Sequence, residues 1–453
     1  MAMGKRKAVQ ESLFITTENL AKSPGHPFYE RLNKLLAEAG FDAWAERRCA
    51  EYYEQEEPRG RPSLPPGVFV RMLLVGYFEG IDSQRGIAWR CADSLSLRRF
   101  LGIPLDKDTP DHSTLTNTRK RFPSEVFDEV FRFVLRLAAD QGMLSGKTVG
   151  ADSTTLEANA AMKTIVRRDT GETWNEYVTR LMREEGVIEP EQQPTDEEIR
   201  RYDRQRKNKK VSNEEWQSST DPDARIALMK DGRTHLAYKA EHVVDLEHDV
   251  VVGAEIYHAN TGDSQTLADS LMAAQVNLSE AGSEVEIEEV AADKGYHAAS
   301  ALELCDSLGV RTYIPERRQR GKKRLRDKTA EERRSVLNNR RRVKRAKSKA
   351  LQRRRSEVCE RTFAHICDTG GARRSWLRGL VDVTKRYLMS VTAHNLGRIL
   401  RKMFGVGKPK ALQGDRGLAA LAQLVIQAFW ALLRRLENAY APRKQSLRPC
   451  PAA

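Results

Sequence analysis

Two short runs of small and apolar residues, each closing on an aspartate, constrain this chain more than any other feature. Gly146-Lys147-Thr148-Val149-Gly150-Ala151-Asp152 reads as a strand that delivers its carboxylate at its end. Val285-Glu286-Ile287-Glu288-Glu289-Val290-Ala291-Ala292-Asp293 alternates, then turns small, and Gly295 follows as a turn signal. A third acidic stretch, Glu357-Val358-Cys359-Glu360, falls in a segment of helical periodicity. A lone aspartate after a strand is most often a turn former. Two strand-borne aspartates and a helix-borne glutamate together make an oxygen-ligand set suited to two hard cations. Two such ions can clamp both oxygens of an in-line phosphoryl displacement.

The segments around these acids set the fold class. Thr234 to Val244 and Val250 to Tyr257 are strand-like and are separated by a turn region, residues 245–249. Ser264 to Ala281 reads as a helix with Leu267, Leu271, Met272 and Val276 inward, and Ala298 to Leu308 as another. Val310 to Pro315 makes a short fifth strand. This order predicts an α/β domain, a mixed sheet flanked by helices, over residues 144–403. A charged interruption, residues 163–232, holds 30 charged residues among 70, and Glu189-Pro190 to Pro194 breaks it into two helical pieces. It is expected to be a helical insertion, either a solvated spacer or a DNA-contacting element. Upstream, Phe28 to Leu36, the stretch opened by Pro65-Pro66, and those around Ile87, Leu95 to Leu101, Ser113 to Arg121 and Ser124 to Gln141 predict an all-helical domain over 1–143. Asp111 is placed to cap the fifth of these. Residues 404–453 read as a linker and a C-terminal helix, Leu418 to Leu436. Gln423 and Gln427 interrupt that helix, so it falls short of the roughly 20 apolar residues a membrane span needs.

Charge is placed locally. The net charge is +14, yet residues 317–361 hold 21 Lys or Arg against 5 Asp or Glu, a local +16 that leaves the rest near −2. A polyanionic partner is implied, gripped at one place. The part from 317 to 349 has few apolar residues and is expected to bury no face. It is predicted to clamp a nucleic-acid backbone through Arg340, Arg341, Arg342, Lys344 and Arg345. Arg373, Arg374 and Trp376 suit either a phosphate and a stacked, unpaired base or a core tryptophan with surface arginines. The six cysteines show no CxxC and no regular framework, which fits reduced thiols and a cytoplasmic setting. The residues after Met1 form no apolar secretory run.

Asp152-Ser153-Thr154, Asp293-Lys294-Gly295-Tyr296 and Glu360-Arg361-Thr362-Phe363 resemble the Asp-Asp-Glu motifs of bacterial insertion-sequence transposases. Arg233 to Lys239, Leu377-Arg378-Gly379-Leu380 and Pro110 to Leu115 resemble further landmarks of that family, in its order, from about Phe28 to about Met403. The resemblance implies a ribonuclease H-like catalytic fold. It implies that Asp152, Asp293 and Glu360 hold two Mg²⁺ or Mn²⁺ ions, cut double-stranded DNA at the element's terminal repeats and join the 3′-hydroxyl ends to target DNA. A homodimer, terminal-repeat recognition by the helical domain, Lys294 and Arg361 at phosphates, and a place at the bacterial nucleoid are further implications. A nuclease of the same fold and a catalytically inactive DNA-binding protein are the alternatives. Between the two glutamates, Cys359, Phe363, Ile366 and Cys367 form an apolar stripe with Glu360 at its flank, and Glu357 points farther round, toward Arg353. The family pattern Glu-Arg-x-Phe also falls on Glu360. Ser356 and Cys367 stand where relatives often carry an arginine and a lysine.

Overall fold

Seven helices come first, several of them marked by local capping chemistry: α1 (Pro27–Glu38), α2 (Phe41–Cys49), α3 (Pro66–Glu79), α4 (Gln84–Ala92), α5 (Leu95–Leu101), α6 (His112–Arg121) and α7 (Ser124–Asp140). Pro66 opens α3, and Gly80 ends it in the left-handed region at φ 70°. Ser83 and Ser94 cap α4 and α5, and the Asp111 carboxylate accepts from the Thr114 amide at 2.8 Å at the start of α6. Helix α3 is buried on nearly every side, including Arg71, whose guanidinium is held by Asp42 and Asn33. The computed structural model describes residue 16 and residues 20–53, 63–207, 211–229, 231–317 and 325–412. The expected helix Leu418 to Leu436 lies outside the described residues.

The rest follows as β1 (Thr148–Glu157), β2 (Ile165–Arg167), α8 (Trp174–Glu184), α9 (Asp196–Gln205), β3 (Trp216–Ser218), β4 (Arg225–Leu228), β5 (Thr234–Asp245) and β6 (Val251–His258). Then come α10 (Asp263–Glu280), β7 (Glu289–Ala292), α11 (Ala299–Ser307), β8 (Arg311–Tyr313), α12 (Ala330–Val343), α13 (Ala346–Phe363) and α14 (Leu380–Phe404). The main sheet runs β6–β5–β1–β7–β8, with β4 sharing the outer edge of β5. β5 is antiparallel to β1 and β6, whereas β1, β7 and β8 are parallel. This is a mixed sheet flanked by helices, as the order of segments predicts, in the ribonuclease H-like arrangement that the resemblance implies. Helix α13 covers one face, where Gly150 admits it, and α10 covers the other, where Gly253 faces Ala274. Helix α14 packs against β6, α7 and α3, so one continuous core joins the helical N-terminal part to the sheet.

Four expectations need correction. Asp152 does not end its strand: β1 continues to Glu157. Met272 and Val276 are 43% and 49% exposed. The inner face of α10 runs through Leu267, Leu271, Ala274 and Leu278, with Thr266, Ser270 and Asn277 also buried, so the two apolar residues fall on the next row. The insertion is not purely helical. Beside α8 and α9 it contains the hairpin β2–β3, whose Trp216 packs on Trp174 and Tyr177. Finally, the basic segment does bury a face. Helix α12 packs Ser335, Val336 and Asn339 against α11 and β8. Polar residues achieve this by bonding: the Asn339 side chain accepts from the Ile314 amide (3.1 Å) and donates to its carbonyl (2.8 Å), and Ser335 donates to Asp306 (3.0 Å).

Candidate active site at the rim of the sheet

Register brings the two aspartates together. Ala151 pairs with Ala292 across the parallel strands, so Asp152 and Asp293 leave that pairing at the same level. Beyond it β7 has ended, while β1 runs on against β5 as far as Glu157 opposite Ala237. Asp152 therefore lies where β1 loses its parallel neighbour, an open notch in the rim. The Asp293 carboxylate turns back to accept from the Gly295 amide at 2.5 Å.

Helix α13 crosses β1 at close range because residue 150 has no side chain. A Cβ there would meet Leu246 at 2.8 Å, Arg355 Cγ at 3.0 Å and Cys359 Sγ at 3.2 Å. Arg355 lies along this gap and reaches Asp152 Oδ2 at 3.1 Å. Burial pushes the Asp152 carboxyl up to about 6. Arg355 pulls it down, and the charges of Asp293 and Asp263 add to the rise.

The two glutamates of α13 diverge. Glu360 is exposed and accepts from Ser356 Oγ at 2.7 Å. Glu357 pairs with Arg361 (3.1 Å) and Arg354 (3.5 Å), not with Arg353 as its spacing suggested. Those two arginines and Arg398 converge on Asp249 in the β5–β6 turn, at 2.6, 2.6 and 2.8 Å. Glu357 is thus committed to a separate ionic cluster. Behind the notch, His242 stacks on Phe363 at 4.1 Å between ring centres, and its two nitrogens meet Thr362 and Tyr387. Burial lowers its pKa to about 3, so it is a neutral structural histidine. Among the described residues, no three His, Cys, Asp or Glu side chains are grouped closely enough to hold a metal ion.

One acid at the rim had no signal in the sequence. Asp263 opens α10, accepts from Ser153 Oγ at 2.8 Å and pairs with the buried Lys239 at 3.2 Å. In sequence it is an ordinary first-turn acid, and only the β5 and β1 registers carry Lys239 and Ser153 to it.

The predicted cationic residues divide. Lys294, Arg341, Lys344 and Arg345 are exposed. Arg340 is engaged by Glu316, Arg342 donates to the Thr312 carbonyl (2.9 Å) and hydroxyl (3.1 Å), and Arg361 belongs to the Asp249 cluster. After α13 a π-helical stretch, Ala364–Thr369, turns the chain back to β1, where the Glu157 amide donates to the Arg373 carbonyl at 3.0 Å. This places Arg373 on Thr154 (3.0 Å) and Arg374 near Glu157 (3.6 Å). Trp376 is 45% exposed, with the Arg374 guanidinium 4.8 Å from its ring centre and its indole N–H donating to Asp82 at 2.7 Å.

Two family models match the chain: residues 17–121 match a transposase domain (DUF772), and residues 209–396 match a transposase DDE domain. No curated protein matches it. Among solved structures, the Mos1 transposase paired-end complex with left transposon end is 11% identical, with 76% of this chain and 98% of that chain covered, at a TM-score of 0.18. No helix among the described residues is long and apolar enough to cross a membrane.

Proposed function

Because the chain belongs to the DDE transposases, we propose that it serves a bacterial insertion sequence, cutting a phosphodiester at each element end and joining the freed 3′-hydroxyls to target DNA. The observation that carries this proposal is the level register of Asp152 and Asp293 at the sheet rim, beneath a helix that bears Glu360. Hard carboxylate oxygens suit Mg²⁺ or Mn²⁺. The Asp152 carboxyl, raised chiefly by burial and further by the charges of Asp293 and Asp263, is a group whose ionised form added positive charge would favour. Asp152, Asp293 and Glu360 would hold two ions, which supply an acidified water and a polarised phosphate.

The chain's own residues do the rest. Arg355 neutralises Asp152 in the protein alone and keeps its carboxylate in place over β1. Lys294, Arg341, Lys344 and Arg345 offer exposed charge to backbone phosphates. Arg373, Arg374 and Trp376 extend the rim beyond Asp152, and the exposed indole suits stacking on an unpaired base. The helical N-terminal part recognises the terminal repeats, a homodimer holds two ends, and the protein works at the nucleoid in the cytoplasm.

The test uses linear DNA carrying the repeats that flank the gene, with Mg²⁺ or Mn²⁺. Wild-type protein should yield cut and joined products. Asp152→Asn and Asp293→Asn should bind the same DNA and leave it intact, since each removes a ligand charge with almost no change of volume. Cutting without joining would instead identify a nuclease of the same fold. A mobility shift with no cutting by the wild-type protein would identify an inactive binder.

A further inference from the structure

Among the described α-helices, only α4, α5 and α6 contain no aspartate or glutamate, and they carry two, two and three Lys or Arg respectively. Several of these cations serve the fold. Arg90 pairs with Glu79, Arg99 with Glu30 and Arg119 with Asp382, and Arg98 donates to the Pro104 carbonyl. Helix α6 is seated through Leu115, Thr118 and Arg119, which are buried. Its outer row is Ser113, Asn117 and Lys120, at i, i+4 and i+7. The Asn117 and Lys120 side chains are exposed and bond to no described residue. Asparagine is a poor residue for a helix interior, and exposed here it gains no buried contact in return. Helix α4 lies against α6, with the Thr116 hydroxyl donating to Gln84 at 2.6 Å. One residue beyond that contact α4 begins an exposed row of its own, Arg85 and Trp89, and the Arg85 side chain also bonds to no described residue.

A second observation is where this face is anchored. The turn into α4 is tied to the rim of the candidate active site, because Trp376 donates to the Asp82 carboxylate at 2.7 Å and Arg386 to the Asp82 carbonyl at 3.3 Å. The far end of α6 is tied to α14, where Lys385 donates to the Phe122 carbonyl at 2.7 Å. A duplex seated on α6 would thus be held in a fixed setting relative to Asp152 by rigid elements.

We propose that α6 is the helix that enters the major groove of the terminal repeat, with Asn117 and Lys120 reading base edges and Arg85 holding a backbone phosphate. The proposal rests on the reading of the helical N-terminal part as the terminal-repeat binder. The groove is wide enough to admit an α-helix. An acid-free helix suits the surrounding phosphates. An asparagine amide both donates to and accepts from an adenine edge, and a lysine ammonium donates to guanine O6 and N7.

The experiment measures binding of full-length protein, by fluorescence anisotropy at fixed salt, to the terminal-repeat duplex that flanks the gene and to a shuffled duplex of equal length and composition. Wild type should prefer the repeat. Asn117→Ala should weaken repeat binding by about tenfold and leave the shuffled duplex bound as before. Lys120→Ala should reduce the preference for the repeat by a similar factor. Arg85→Gln should weaken both duplexes alike and lower the salt slope by roughly 0.9. Melting temperatures should not fall, since all three side chains are exposed. A structural effect is separated by 7-deazaguanine, which lacks the N7 acceptor. Placed in turn at each guanine of the repeat, it should weaken wild type at a position to which Lys120→Ala is indifferent. A full preference for the repeat in both Ala variants overturns the role of α6 alone. Equal weakening of both duplexes by Asn117→Ala overturns base reading by that residue. A wild-type protein with no preference for the repeat overturns the terminal-repeat reading and this proposal with it.

Discussion

Glu255→Gln should stabilise this protein in alkaline solution and do nothing in acid. Glu255 lies on β6, in the register row of Glu241 and Ser153, on the sheet face that α10 covers. Burial pushes its carboxyl from 4.5 up to about 7, and the charge of Asp128 on α7 adds to the rise while Arg132 opposes it. Asp128 is itself pushed up to about 6 by burial. The sign follows from linkage. An acid whose folded pKa is raised destabilises nothing below its unfolded value. Its cost grows from about pH 4.5 and is complete above about pH 7. A rise from 4.5 to about 7, at roughly 1.4 kcal/mol per unit, sets a ceiling near 3 kcal/mol. The neutral amide has nearly the same volume and brings no charge to bury. The expected gain is therefore about 1–3 kcal/mol at pH 8 and close to zero at pH 4.5. Urea unfolding of wild type and variant at the two pH values measures it as a shift of midpoint at constant slope. Equal shifts at both pH values, or a loss of stability at pH 8, would refute the reasoning.

Other outcomes follow from the same contacts. Glu360→Gln should abolish metal-dependent cleavage while Glu357→Gln leaves most of it, because Glu357 is committed to Arg354 and Arg361; the reverse pattern in a cleavage assay would move the role. Changing Arg341, Lys344 and Arg345 together to Gln should flatten the salt dependence of DNA binding by roughly 0.9 per lost phosphate contact at unchanged melting temperature. Arg342→Gln should instead cost about 1–3 kcal/mol of stability, since its bonds to Thr312 are lost, and thermal melting separates the two classes. Gly150→Ala should destabilise by about 1–3 kcal/mol, because the added Cβ meets Arg355 and Leu246 and lifts α13 from β1; a melting temperature equal to wild type would contradict the close approach.

Much of this protein is written locally. Apolar periodicity, proline and glycine at helix ends, and the Asp111 cap are short-range signals, so α1, α3, α6 and α7 are legible from neighbours alone. The small residues before Asp152 and Asp293 similarly mark β1 and β7, because only slim side chains fit strands buried on both faces. Pairing is not local, and there the sequence falls silent. Helix α12 has too few apolar residues to look buried, yet Ser335 and Asn339 bury it by bonding to partners 25 to 29 residues away. Arg341 and Arg342 are indistinguishable in a basic run, but one turns to water and the other to Thr312. Arg355 finds Asp152, and Asp263 finds Ser153, only once strand register and helix placement exist. The sequence determined which segments carry the acids. The tertiary structure decided which acids meet, because a carboxylate's neighbours depend on register and on which face of the sheet it occupies, and neither is encoded within a few residues of it.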